Sequence, residues 1–359
     1  MRLVPILASL MFLSVALGQD RVGQAPAFSL RAHKAQVDHL AFCPTGKYIA
    51  SSGEEGQIFV WDYAQQKVLQ RLRVKDSPAS RSDSSVAPQR RRIESIAYSP
   101  DGLQLAETAT ELQSDGSARV WNPIEGKQAL LLSDKLQNAR TIAYSPDGKW
   151  IALNSRSLKK TDDRIMIFDA KTGKLEFELI DDRVAATTLD FSPDSSLLAS
   201  AGTTRLIVWD MAKRAVKHRI SGFDKVIQGI DFSPDGKTIV TVTAGNSLKL
   251  WDVEKGTMNR EIDCDQDGLT CVAFSMSGKT VASGGNSRTV KIWNVETGRR
   301  MNTLVAHGDK VMTLAFDYAG KYLATADRAG TIYVWDFPEE TYKDQKEETK
   351  KKKDSKKPG

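Results

Sequence analysis

From Pro26 onward the chain runs in short apolar-rich stretches, such as Trp150-Ile151-Ala152-Leu153 and the alternating Ser247-Leu248-Lys249-Leu250-Trp251. A period of two sends successive side chains to opposite faces of a strand. Turn signals of one kind cut these runs, typified by Ser99-Pro100-Asp101-Gly102, where Pro presets φ and Gly accepts a positive φ. A Gly-containing hairpin follows later in the pattern, at Gly126, Gly173, Gly256 or Gly298. The order predicts four strands, then a repeat of the same four.

Two aromatic series mark that repeat. One precedes the turn: Phe42, Tyr98, Tyr144, Phe191, Phe232, Phe274 and Phe316. The other closes the third strand: Trp61, Trp121, Phe168, Trp209, Trp251, Trp293 and Trp335, which uses six of the seven Trp residues in the chain. Seven copies at a period near 42 residues make one repeating all-β architecture out of a length that alone suggests two domains. A four-stranded sheet of this size cannot bury both faces alone, so neighbouring copies must stack.

These residues resemble the WD-repeat β-propeller family over residues 26–337. His33 with Val37, His307 with Val311, three intact Ser-Pro-Asp-Gly turns, and Trp-Asp at Trp61, Trp209, Trp251 and Trp335 carry the resemblance. It implies a seven-bladed propeller. Phe28-Ser29-Leu30-Arg31-Ala32-His33 reads like Asn302-Thr303-Leu304-Val305-Ala306-His307, so the N-terminal strand is expected to complete the last blade and close the ring. The family's buried Asp six residues before the closing Trp is replaced by Glu55, Thr203, Gly245, Ser287 and Ala329, which implies an incomplete His, Ser/Thr, Asp and Trp network in those blades.

Spacing between the two series locates the inserted chain. Closing aromatic to next turn aromatic is 23 residues in five cases and 37 between Trp61 and Tyr98; turn to closing aromatic is 18 or 19 in five copies, 23 in the second and 24 in the third. The extra residues fall near 76–91, 111–116 and 156–164, as loops on one face of three consecutive blades. Loops on a rigid scaffold carry function disproportionately. The expected partner site is therefore Arg81, Arg90, Arg91, Glu111, Asp115, Lys159, Lys160, Asp162 and Asp163.

Composition is that of a soluble globular protein, with 40% hydrophobic and 27% charged residues, but a net charge of +6 raises nucleic acid as a ligand. The excess is local. Residues 343–359 contribute +4 and residues 75–92 contribute +3, leaving the disc near neutral, so nucleic acid is not an expected partner. Residues 338–359 read as a disordered Lys-rich tail, solubilising or in peripheral contact with an anionic envelope surface. At the other end, Arg2 precedes an apolar run over residues 3–17 that is too short to span a bilayer, then Ala16-Leu17-Gly18. That pattern is expected for a signal peptide, residues 1–18, and a periplasmic or secreted chain.

Candidate chemistry is sparse. Asp263, Asp265 and Asp267 have calcium-loop spacing before Gly268, yet Phe274 stands where a bidentate acid belongs, which favours an acidic inter-blade loop. Cys264 and Cys271 are seven apart and suit opposite edges of two blades better than a bridge. His39 falls on an innermost strand, facing the channel or held structurally. Asp162-Asp163 and Asp181-Asp182 are sequence neighbours and would point apart on a strand, a poor acid and base pair. Without a nucleophile or phosphate-loop string, no cofactor and no enzyme activity are expected. The reading is a monomeric, non-catalytic scaffold for protein partners; a glycan or anionic wall-polymer binder and a channel hydrolase or lyase are the alternatives.

Overall fold

The structure is a computed structural model that describes residues 21–73, 91–111, 114–156, 163–181 and 186–337. The expected signal peptide and tail lie outside these residues. Every regular element in them is a strand. Seven sheets form blades 1 to 7 over residues 37–72, 91–136, 142–180, 188–220, 227–263, 269–305 and 311–336. Within each blade the strands pair antiparallel in chain order from the channel outward, and the innermost strands touch one another in cyclic order, with blade 7 against blade 1.

Ring closure is direct. Phe28–Arg31 pairs antiparallel with Thr331–Asp336 as the fourth strand of blade 7, setting Leu30 opposite Ile332. One element exceeds the expectation: Arg21–Gln24, ahead of the expected start at Pro26, adds a fifth strand in parallel to Arg300–Val305 of blade 6. Gln24 then bridges the seam, taking a hydrogen bond from Asn302 Nδ2 and donating one to the Asp336 carbonyl at 2.7 Å.

The core lies in the seams. Seven apolar clusters each join two neighbouring blades, as where Ala50, Ile58, Val60 and Leu72 of blade 1 meet Ile93, Ile96, Tyr98 and Trp121 of blade 2. This explains why the closing aromatic recurs: it is the large side chain that fills each seam.

Two blades correct the expected network. In blade 7 His307 bonds Thr325 at 2.8 Å and Asp327 at 3.0 Å, and the Trp335 indole N–H donates to Thr325 at 2.8 Å. Asp327 therefore does from two positions earlier what Ala329 cannot. In blade 1 the longer Glu55 reaches His33 at 2.7 Å, and His33 and Trp61 share Ser51. Blade 6 places Gln266 where the others place His, accepting from Ser283, which in turn accepts the Trp293 N–H.

Candidate functional site

The connections between second and third strands, and from each fourth strand to the next blade, open on one face of the disc. The Ser-Pro-Asp-Gly turns open on the other, called here the turn face. On the first face blade 2 stands apart: its strands run 8, 7, 9 and 10 residues, against three to seven in the other blades. Of residues 111–116, expected as a loop, Glu111 and residues 114–116 lie on the paired strands of this lengthened hairpin, with Glu111 opposite Ser114 and Arg91 opposite Glu111. Spacing counts inserted residues but does not distinguish an inserted loop from two longer strands.

Four of the nine expected site residues fall within the described residues. Arg91, Glu111 and Asp115 lie at the elaborated end of blade 2, and Asp163 opens the third strand of blade 3 opposite Arg156. Arg81, Arg90, Lys159, Lys160 and Asp162 lie outside the described residues. Asp115 accepts a hydrogen bond from Gln137, in the connection to blade 3. Gly56 makes the approach of Arg91 feasible: it sits at φ +67, and a Cβ there would meet the Arg91 carbonyl oxygen at 2.3 Å.

Beneath this rim is a network that sequence reasoning missed. Glu107 is 1% exposed and takes Arg91 directly, with Arg119 at 3.9 Å. Five blades carry Ser or Thr at the equivalent position, Ser51, Ser200, Thr241, Ser283 and Thr325, each accepting the N–H of its blade's closing Trp. Glu107 cannot serve both roles. Trp121 Nε1 is left without a partner. The signal was present in the sequence, since Leu105-Ala106-Glu107 is the one copy with a charge there.

A second charged layer lines the channel at the same end. Arg92 reaches across the seam to Asp38 at 3.1 Å and lies 3.9 Å from Glu94, which accepts from Thr110 at 2.6 Å. Burial pushes the Asp38 carboxyl upward, against Gln36 and Arg92, which pull it down. Burial is also the main influence on His39, lowering it to about 4; Arg92 acts with it and Glu94 against it. Because the unfolded imidazole titrates near 6.5, the unfolded chain binds the extra proton first. His39 therefore favours folding above about pH 6.5, and that contribution is lost as pH falls toward 4. A His39→Gln variant should remove up to about 3 kcal/mol of this acid sensitivity, less where channel water relieves burial. Denaturant titrations of both proteins at pH 7.5 and pH 5 check this; parallel losses would refute it.

The turn face holds a carboxylate pair that becomes visible only when the copies are aligned. The residue before each turn aromatic is alanine in five blades (Ala41, Ala97, Ala143, Ala273 and Ala315) but Asp190 and Asp231 in blades 4 and 5. Asp190 accepts the Phe232 N–H at 2.7 Å and Asp231 the Phe274 N–H at 2.6 Å, each latching its blade to the next. The two carboxyl groups also lie within hydrogen-bond reach of each other. Burial raises both carboxyls, Asp190 to about 7, with mutual repulsion adding to the rise at Asp231. Their solvent-accessible area is intermediate, as expected for a channel wall that small solvent reaches while surrounding chain crowds the carboxylates.

The other chemical candidates resolve simply. Cys43, Cys264 and Cys271 are free and buried, so the last two do not pair. Asp265 points to solvent, and Lys291 Nζ donates to the carbonyls of Cys264 and Asp265 at 2.8 and 2.7 Å, placing an ammonium in the loop that has calcium-loop spacing and was expected to be an acidic inter-blade loop. Among the described residues no three His, Cys, Asp or Glu side chains are grouped to hold a metal. A groove of about 720 Å³ between blades 4 and 5, floored by Leu197 and Val216, lies on the turn face, away from the elaborated rim.

Seven stacked four-stranded blades, inter-blade seams and Trp-anchored third strands define a seven-bladed β-propeller with WD40-type repeats. The WD domain, G-beta repeat family matches residues 24–62, 86–122 and 298–336, and the anaphase-promoting complex subunit 4 WD40 domain family matches residues 189–277. The chain is 23% identical over 220 residues to a subunit of chromatin assembly factor 1 from Gallus gallus, covering 59% of this chain and 34% of that protein. It is 26% identical over 175 residues to meiotic recombination protein rec14 of Schizosaccharomyces pombe, covering 49% and 51%. It is also 29% identical over 165 residues to pre-mRNA-processing factor 17 of Homo sapiens, covering 43% and 26%. The chain thus spans about a quarter to about a half of the length of these curated relatives.

Proposed function

We propose that this protein is an exported, non-catalytic platform that holds protein partners on the elaborated face of blades 1 to 3. The observation that carries the reading is the one-sided growth of the disc: blade 2 alone lengthens all four strands, its rim is braced from below by Arg91, Glu107 and Arg119, and the insertions flank it in sequence on the connections of the same face. A rigid rim presents side chains with little ordering cost on binding, which is what a recognition surface needs. The names of one matched protein, a subunit of chromatin assembly factor 1, and of one matched domain family, the anaphase-promoting complex subunit 4 WD40 domain, accord with a role in assemblies.

The channel carboxylates support this reading over the catalytic one. Each commits an oxygen to a backbone N–H of the next blade, so the pair acts first as a seam latch. Deleting residues 77–89 is expected to weaken partner binding at least ten-fold, about 1.4 kcal/mol, while leaving the unfolding transition in place. Unchanged binding, measured with the same partner preparation, would count against the face. Export predicts a mature N-terminus at Gln19, read by N-terminal sequencing of the secreted or periplasmic fraction; full-length chain in the cytoplasm would contradict it.

A further inference from the structure

A strand at the rim of a sheet offers its unpaired N–H and C=O groups to any extended chain, and folded proteins guard such edges with charge, bulges or short strands. Six of the seven outer strands of the disc are guarded in one of these ways. Opposite the second residue before the closing aromatic, blades 1, 3, 4 and 5 place Arg71, Glu178, Arg219 and Glu261. Blade 2 places Leu131 there, but register shifts interrupt its outer strand at three points. The outer strand of blade 7 has only four residues and ends in Arg31. Blade 6 places Thr303 at this position and has no charge between Met301 and Val305. It is also the one blade with a fifth strand among the described residues, the parallel Arg21–Gln24.

That resident strand meets the edge incompletely. It has four residues, and its register shifts between Val22 and Gln24. Thr303 is 8% exposed and its Oγ1 is enclosed without a hydrogen-bond partner, while Val22, in register with it, is a residue type with no polar side-chain atom. An enclosed hydroxyl left unpaired is a standing cost that a better-matched strand removes. The Thr303 N–H donates to Asn302 Oδ1 at 2.8 Å, a bond within blade 6 that needs no added strand.

One contact at this edge sets a strict requirement. In blades 1, 4 and 5 the residue before the guarding charge, Gln70, His218 or Arg260, reaches a carbonyl in the next blade's hairpin, that of Ile124, Glu254 or Glu296, at 2.9–3.0 Å. Asn302 holds that position in blade 6, and its link to blade 7 runs through the added strand. Asn302 Nδ2 donates to Gln24 Oε1 at 3.1 Å, and Gln24 Nε2 donates to the Asp336 carbonyl at 2.7 Å. A strand on this edge therefore needs a glutamine, whose carboxamide accepts from one blade and donates to the other.

We propose that the outer edge of blade 6 is a docking site for an extended segment of a protein partner, which replaces Arg21–Gln24 in parallel pairing and carries Thr or Ser opposite Thr303 and Gln at the seam. Backbone pairing supplies the affinity and these two side chains the selectivity. The chain's own strand acts as a tethered competitor that keeps the edge covered until such a segment arrives. This edge lies outside blades 1 to 3, so the inference does not rest on the partner face proposed above.

The probe that tests it is a synthetic peptide of residues 19–27 carrying the Val22→Thr change, with binding to the full-length chain followed by fluorescence anisotropy. In the wild type the probe competes with the tethered strand. Proline removes a ladder donor, so the full-length Val22→Pro chain releases its own strand and should bind the probe at least ten-fold more tightly than the wild type. The milder Gln24→Ala chain, which loses only the seam bonds, should shift the same way and covers the case in which proline disturbs the fold. Adding Thr303→Arg to either variant restores the charge that guards four other blades and should weaken binding at least ten-fold, as should alanine in place of the probe's Gln24. No binding to any chain would overturn the proposal. So would equal affinity for the wild type and both strand variants, or affinity that neither Thr303→Arg nor the alanine probe reduces. Self-association of the strand variants without probe binding would also overturn it, since the edge would then serve a second copy of the chain.

Discussion

A chain lacking residues 19–31 is expected to lose its cooperative unfolding transition and to associate. The reason is topological. Phe28–Arg31 is the fourth strand of blade 7 although it comes first in the chain, so its pairing with Thr331–Asp336 ties the two ends of the ring together. Without it, blade 7 presents the full edge of Thr331–Asp336 to solvent, a row of unpaired N–H and C=O groups that templates other strands. The seam also loses Leu30, 2% exposed in the cluster that joins blade 7 to blade 1. A point version is more gentle: Leu30→Ala should cost about 2–5 kcal/mol, the range for a fully buried leucine. Denaturant unfolding followed by Trp fluorescence, with light scattering alongside, measures both. A truncated chain that stays monomeric and unfolds as sharply as the full one would show that the ring closes by another route.

The second large effect is expected at Glu107. Glu107→Leu should destabilise the fold by about 3–5 kcal/mol, because Arg91 and Arg119 would keep charges in the seam without their carboxylate. Blade 3 indicates the remedy: the pair equivalent to Glu107 and Arg119 is Leu153 opposite Met166, both apolar. Glu107→Leu/Arg119→Met should therefore recover part of the loss, and the residual difference belongs to Arg91. Double-mutant analysis of the unfolding free energies gives the coupling. Additive losses would mean that the ion pair does not brace the rim.

The fold was legible to the extent that it rests on side chains repeated at one position. Trp61, Trp121, Phe168 and their counterparts fill equivalent seams, so counting them gave the blade number, and the likeness of residues 28–33 to 302–307 gave the closing strand. Substitution inside a repeated network was harder to read. Glu55 replaces Asp because a longer acid reaches the same His, and Asp327 does so from another position in the turn; neither follows from a fixed offset to Trp. The strand Arg21–Gln24 carried no signal either, since four residues pairing in parallel on an outer edge need no hydrophobic period.

The elaborated face was legible as added chain and less so as chemistry. Insertion counts assigned that added chain to blades 1 to 3, but Glu107 and the pair Asp190 and Asp231 become conspicuous only when each is compared with the same position in the other blades. A lone acid beside an aromatic says little. Seven aligned copies in which five are alanine and two are aspartate say that two adjacent seams differ from the rest.

The central claim is that partners meet the disc on the elaborated face, and amine-specific cross-linking of the protein with its captured partners tests it most directly. Lys75, Lys159 and Lys160 fall, in sequence, within the connections of that face, whereas Lys149, Lys237 and Lys279 sit in the turns of the other. Partner cross-links concentrated on the first three lysines are the predicted result. Cross-links concentrated on the turn lysines, with the first three unmodified by any partner, would contradict it.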